Sequence, residues 1–389
     1  MDVLRHEAPQ RTSFFSILQI NKGIDLRDKR GKRHALEVVL MGCIISICRN
    51  RDGNLSSMHR AMSNTHESLM EWLMLEHGID YQVVISRSHL PILLKKVCLS
   101  TFSRLIFEHF GVKLNAEEKT WFSMDGKELR GTILPNATRG EAIVQAVRHS
   151  DRQVFSQGYY NGSKDSEQPV VQELLKKDSL ASQGITMDAL HFNPKTLSYI
   201  NIEGGSYVVG LKGNQEEIST DMAKFINVQN ADFQYIKSEK SHGREEKRSY
   251  YSKDLRGEYF EKRWKDAGFN TIIMVKRTRL INSLEKYSEE TSYYMSNEKA
   301  NTQPASEQLF SHVRGHWSVE VNNHVRDVTL NEDAFQTKFR AVARPISLIR
   351  TLIINILQVN KVKNCVQLIE SFVDDFNLIL QFLKSVKVL

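Results

Sequence analysis

Two short apolar runs, each stopped by a carboxylate, constrain this chain more than anything else in it. The stretch TWFSMDGKELRGT (120 to 132) begins as a pleated, half-buried segment in Thr120, Trp121, Phe122 and Ser123. It then places Asp125, Gly126 and Lys127 where a strand interior stays apolar. GITMDAL (184 to 190) repeats the arrangement, with Asp188 at its end. Around them strand-like and helix-like segments alternate. EAIVQAVRHSDRQVFSQGYY (141 to 160) breaks at Ser150-Asp151 into a hairpin-like pair, and DSEQPVVQELLKK (165 to 177) opens with an Asp/Ser cap and continues as an amphipathic helix. PKTLSYINIEG (194 to 204) reads as a helix, SYVVGLKGNQ (206 to 215) as a strand, and EEISTDMAKFI as a further helix. That order predicts an α/β domain with a mixed sheet, in which the carboxyl ends of strands line the functional crevice.

The flanks differ. Up to about residue 110 the chain reads as helical, in HALEVVLMGCIISIC (34 to 48), SSMHRAMSNTHESLMEWLMLEHG (56 to 78) and PILLKKVCLSTFSRLIFEHFG (91 to 111). Residues 231 to 296 are β-rich and strongly charged, and read as a sheet inserted into the α/β domain. After Thr302-Gln303-Pro304 the pattern is helical again, through ASEQLFSHVRGHWSVEVNNHVRDV and PISLIRTLIINILQ. In the tail from Val362, Leu368, Ile369, Phe372, Phe376, Ile379 and Leu383 recur at helical intervals, which predicts packing on the core.

Of the 389 residues 41% are hydrophobic and 25% charged, which excludes a disordered chain and allows a sizeable core. Cys43, Cys48, Cys98 and Cys365 form no C-x-x-C pair, against a disulfide framework or a zinc finger. MDVLRHEAPQ lacks the apolar core of a signal peptide, and the apolar run from Ala35 to Cys48 is well short of the roughly 20 residues of a spanning helix. The expectation is a soluble, cytoplasmic protein with no membrane partner. The net charge of +7 points mildly to a polyanionic partner such as nucleic acid. DLRDKRGKRH (25 to 34) concentrates Arg27, Lys29, Arg30, Lys32 and Arg33 against two acids. It is either a solvated loop or a set of phosphate contacts in a small helical DNA-binding domain.

Neighbouring carboxylates raise one another's pKa unless a cation sits between them, and hard divalent ions with oxygen ligands, magnesium above all, are the natural occupants. RGHWSVEVNNHVRDVTLNEDA (314 to 334) offers a third acid, Glu320, one helical turn from His316, Asn323 and His324, with Asp327 following on the same face. A strand-end aspartate is equally a turn or helix cap, and His316-x3-Glu320-x3-His324 is not the H-E-x-x-H pattern of a zinc site.

SMDGKELRG, TMDAL followed by HFNPKT, YVVGLKGNQ, SHGREEKR and RGHWSVEVNNHVRDVTLNEDA occur in an order that resembles the bacterial insertion-sequence DDE transposases, the family that includes the H-repeat-associated proteins. The resemblance runs from about Arg27 to Gln358 and includes DLRDKRGKRHALEVVL, similar to that family's transposase-associated domain. It implies an α/β, ribonuclease-H-like mixed-sheet catalytic core at 113–360 with a β-rich insertion at about 225–300. A helical DNA-binding domain at 1–112 precedes the core, and a helical tail at 361–389 follows it. The family's acidic triad carries over to Asp125, Asp188 and Glu320, which would hold two magnesium ions, with manganese as substitute. Lys127, Arg130, Lys212 and Gln215, with His316, Asn323 and His324, become the neighbours expected to meet DNA, although KGN at 212 to 214 is also an ordinary turn signal. In the third motif the family pattern resembles H-W-x-I-E-N-x-L-H-W, and here Val321, Asn323 and Val325 depart from it while the acid is kept.

The function implied is cleavage and joining of phosphodiester bonds at insertion-sequence ends. The partners would be double-stranded DNA (terminal repeats and target), bound by a homodimer at the nucleoid. A transposase-derived DNA-binding protein without mobilising activity and a metal-dependent nuclease of the same core are the alternatives.

Overall fold

The computed structural model describes residues 13–111, 114, 118–212, 216–241, 244–281 and 286–388. The N-terminal part holds α1 (Phe14–Ile20), α2 (Leu36–Cys48), α3 (Leu55–His77), α4 (His89–Leu94) and α5 (Leu99–Phe110). Local chemistry sets their ends. Asn54 and Ser57 form a reciprocal capping box at the start of α3, which stops at Gly78 with φ 62°. α2 is buried nearly all round, as its composition predicts.

The central part runs β1 (Trp121–Leu129), β2 (Glu141–Arg148), β3 (Val154–Tyr160), α6 (Lys164–Lys177), β4 (Gly184–Met187), α7 (Pro194–Ile202), β5 (Ser206–Leu211) and α8 (Glu216–Phe225). It continues with β6 (Phe233–Ser241), β7 (Arg244–Asp254), β8 (Thr271–Ile281) and β9 (Lys286–Ser296). The helices α9 (Gln303–Gly315), α10 (Trp317–His324), α11 (Arg340–Val359), α12 (Cys365–Asp374) and α13 (Phe376–Ser385) follow.

The nine strands among the described residues form one sheet, in the order β3-β2-β1-β4-β5-β9-β8-β7-β6. β1, β4 and β5 are parallel, and the other pairs are antiparallel. The β-rich segment is therefore not a separate inserted sheet. β9 pairs with β5, Val208 against Ser296, so the four strands extend the α/β sheet itself.

The sheet is covered on both faces. Phe122, Met124, Val144, Ile185, Met187 and Val209 pack with α6 and α7 through Val171, Leu174, Leu197 and Ile200. On the other side Val147 and Val154 join a cluster built from α1 to α5 and α11 to α13, so the N-terminal helices and the C-terminal tail share one apolar core. α11 is long and apolar enough to cross a membrane, yet most of it is buried against this core.

Between α10 and α11 the helix widens into a π turn, Val325–Thr329, a distortion common at functional sites. It turns Arg326 inward. The guanidinium is fully buried and bonds Glu332 Oε1 at 2.8 Å, Gln145 Oε1 at 3.1 Å and Gln157 Oε1 at 3.3 Å. A second buried pair, Arg350 with Asp52, ties α11 to the connection between α2 and α3.

Candidate active site

The β1–β4 ladder ends with Met124 beside Met187, and the next residue on each strand is an acid, Asp125 and Asp188. Strand alternation sends Ser123 and Asp125 to the face covered by α10, where Ser123 meets Ser318 Oγ at 2.7 Å and Asp125 Oδ2 accepts from Asn323 Nδ2 at 3.4 Å. Gly126 faces the other way. A Cβ there would stand 2.3 Å from the Tyr160 hydroxyl and 2.4 Å from Glu167 Oε2, so the missing side chain lets a carboxylate from the first turn of α6 lie against the strand.

Asp188 does two things. Its carboxylate accepts from Leu190 N–H at 3.0 Å, capping the short turn Ala189–His191, and it borders a cleft of about 440 Å3 shared with Asp125, Glu167, Asn323 and Asp327. Glu167 is buried, accepts from the Tyr160 hydroxyl at 2.8 Å and lies 3.0 Å from His191 Nε2. His191 Nε2 is in turn 3.9 Å from Asp188 Oδ1. Sequence reasoning missed Glu167, Tyr160 and His191, because only the docking of α6 on the sheet brings them to the cleft.

Burial, with the nearby charges of Asp188 and Glu167, pushes Asp125 up to about 7. Among the described residues no lysine or arginine pairs with it. Asn323 Oδ1 is buried without a hydrogen-bond partner. Unsatisfied oxygens and crowded carboxylates are the donor set a hard divalent cation fits. Glu320 borders a second cleft, of about 420 Å3, with Asp188, Lys212, Arg314, His316 and Trp317. Partial burial raises its carboxyl, against the pull of Arg314. Asp188 thus borders both clefts, Asp125 one and Glu320 the other. Among the described residues no three His, Cys, Asp or Glu side chains gather into a ready metal group.

The residues expected to meet DNA separate into two kinds. Lys127, expected to meet DNA, is engaged inside the fold: its ammonium is buried, 2.6 Å from Asp327 Oδ1 and 3.2 Å from Asp333 Oδ1. Arg27 is likewise occupied, pairing with Asp25 at 2.8 Å and donating to the carbonyls of Gly31 and His34. Lys32 reaches the Asp25 carbonyl at 3.0 Å. Lys29, Arg30, Arg33, Arg130, Lys212 and His324 are exposed, and Gln215 lies outside the described residues. His316 Nδ1 is 3.2 Å from Thr186 Oγ1, which His149 Nε2 also reaches at 3.0 Å. Burial lowers His149 to about 3 and both His312 and His316 to about 4, so these imidazoles are neutral.

With this geometry in hand, the chain is similar to several bacterial proteins. It is 28% identical over 256 residues to the "Putative protein YbfL" and to the "H repeat-associated putative transposase YhhI", both of Escherichia coli K12; each match covers 64% of this chain and 66% of the relative, just under two thirds. It is 24% identical over 350 residues to the "Putative transposase YncI" of Escherichia coli O157:H7, covering 86% of this chain and 85% of that one. Two of these three relatives are named putative transposases, one of them H repeat-associated, so the likeness is to a bacterial transposase family. No family model matches it. Among solved structures, a piggyBac transposase synaptic complex with hairpin DNA matches with a TM-score of 0.46 at 11% identity, covering 96% of this chain and 77% of that one.

Proposed function

We propose that the protein is a DNA transposase with a ribonuclease-H-like core, in which Asp125, Asp188 and Glu320 hold two divalent ions, magnesium or manganese. The observation that carries the reading is the register of β1 and β4: two acids leave adjacent parallel strands together, with no lysine or arginine pairing Asp125 among the described residues. Asp188 would be the ligand common to both ions, since it borders Asp125 in one cleft and Glu320 in the other. Bound there, the ions would lower the pKa of an attacking water or 3′-hydroxyl and stabilise the leaving oxygen at the scissile phosphate.

The chain's own residues orient these ligands. Asn323 holds Asp125 from α10, the capped turn fixes Asp188, and Glu167 with His191 braces that turn from behind. Arg130 and Lys212, exposed at the cleft rims, would meet backbone phosphates of the transposon end. The partner is double-stranded DNA, with two copies of the chain joining two ends.

The test is to incubate the protein with DNA flanking its own gene, with magnesium and with EDTA, and to follow labelled ends. Magnesium-dependent nicking at the element boundary followed by joining to target DNA is the expected result. Cleavage without joining selects a nuclease, and binding without cleavage selects a DNA-binding descendant.

A further inference from the structure

The motif SHGREEKR leads into β7, and its last residues do something the acidic site does not use. Alternation on β7 puts Glu246, Arg248 and Tyr250 on one face; across the ladder Glu246 stands opposite Arg279 and Arg248 opposite Arg277. Like charges directly opposite each other destabilise a sheet, so an arginine pair in register calls for an anion. Glu246 supplies a single one. Its carboxylate receives Arg277 Nη2 at 2.9 Å and Arg279 Nε at 3.2 Å, and also pairs with Arg248.

Three guanidiniums on one carboxylate leave donors to spare. Arg277 Nε is buried and has no acceptor among the described residues. Glu239, half-exposed, and Glu290, exposed, touch the rim of the cluster at 3.3 Å from Arg248 and 3.8 Å from Arg277, and such pairs hold little at physiological salt. Arg248 and Arg277 line the same cleft as Asp188 and Glu320, with Lys212 and Arg314 beside them. Guanidiniums recognise phosphate by paired, charge-assisted hydrogen bonds.

We propose that Arg248, Arg277 and Arg279 form a clamp for a DNA backbone phosphate, and that Glu246 is the internal carboxylate with which the phosphate competes for their donors. The clamp would place the duplex along the outer sheet, leading into the cleft that holds Glu320. This rests on DNA being the substrate, and binding is measured without metal so that it does not depend on the chemistry of the acids.

The experiment measures binding of the full chain to an element-end duplex in EDTA, across a salt series, with melting temperature as a check on folding. The Arg277→Gln, Arg279→Gln double variant should lose about tenfold or more in affinity, and its log–log salt slope should shrink by roughly 0.9 for each phosphate it no longer neutralises. Glu246→Gln should bind several-fold tighter than the parent, since the competing carboxylate is gone. A purely structural cluster predicts the reverse for Glu246→Gln, weaker binding with a lower melting temperature. If the parent binds and the double variant keeps its affinity and slope, the clamp is overturned. A parent that binds no DNA would instead overturn the transposase reading, and the clamp with it.

Discussion

Asp125 and Arg326 sit on either side of one glutamine, and the two regions treat buried charge in opposite ways. Gln145 pairs across the ladder with Asp125 and accepts a hydrogen bond from Arg326. On the Arg326 side the charge is balanced. Burial pushes Glu332 up, but Arg326, with Arg350 and Lys127, pulls its carboxyl below the usual range. On the Asp125 side it is not balanced: burial and two neighbouring acids act together and outweigh a backbone hydrogen bond and His191. Asp52 lies between these extremes, raised by burial that a single partner, Arg350, does not overcome. The difference teaches where to look for function. Buried charges that serve the fold bring their counter-ions in the chain, and the half-buried Asp125, which has none among the described residues, is where we propose that a cation from outside binds.

The largest expected effect breaks the balanced side. Arg326→Met leaves Glu332 buried and unpaired, which should cost about 3–5 kcal/mol in urea unfolding. If Arg326→Met were neutral, the network would not be the scaffold described. Next comes Gly126→Ala, whose methyl group meets Tyr160 and Glu167. It should destabilise by roughly 1–3 kcal/mol, as overpacking does, and displace Glu167 from the strand.

Asp125→Asn sharpens the comparison through pH. A carboxyl raised on folding binds its proton more tightly in the native state, so the parent loses stability as pH climbs from the ordinary aspartate value to about 7. Without metal, the variant should melt above the parent at pH values over 7, by only about 1–2 °C for each kcal/mol relieved in a chain of this length, and match it in strong acid. Magnesium should raise the parent's melting temperature and leave the variant's nearly unchanged. A parent insensitive to magnesium would remove the cation from this cleft. The smallest effect is Arg104→Ala, which breaks an exposed pair with Glu108 and should shift stability by only about 0.5 kcal/mol or less.

Much of the fold was legible because its signals are local. The apolar runs ending in Asp125 and Asp188 and the break at Ser150-Asp151 depend on a few neighbouring residues, whereas the Asp/Ser cap expected at 165 to 166 falls inside α6, whose N-cap is Ser163. The misreadings involve long-range partners. The β-rich segment joins the main sheet because β9 finds β5, a register no local pattern specifies. Lys127 is an internal cation because Asp327 and Asp333 close over it from the far end of the chain. Glu167 carries no local signal and reaches the cleft only because Gly126 leaves room. The choice between cap and cleft acid for Asp188 proved to be no choice, since one side chain does both.

The central claim is that Asp125, Asp188 and Glu320 act as one metal-dependent site, and Asp188→Asn tests it most directly. Asparagine keeps the shape and can still accept from Leu190 N–H, but it lacks the charge that holds a divalent ion. The variant should fold and bind transposon-end DNA as well as the parent, or slightly tighter, because a repulsion with phosphate is gone. Its cleavage and strand transfer in magnesium should fall to background, with manganese restoring at most a little. An Asp188→Asn protein that cuts at the parent's rate would contradict the account.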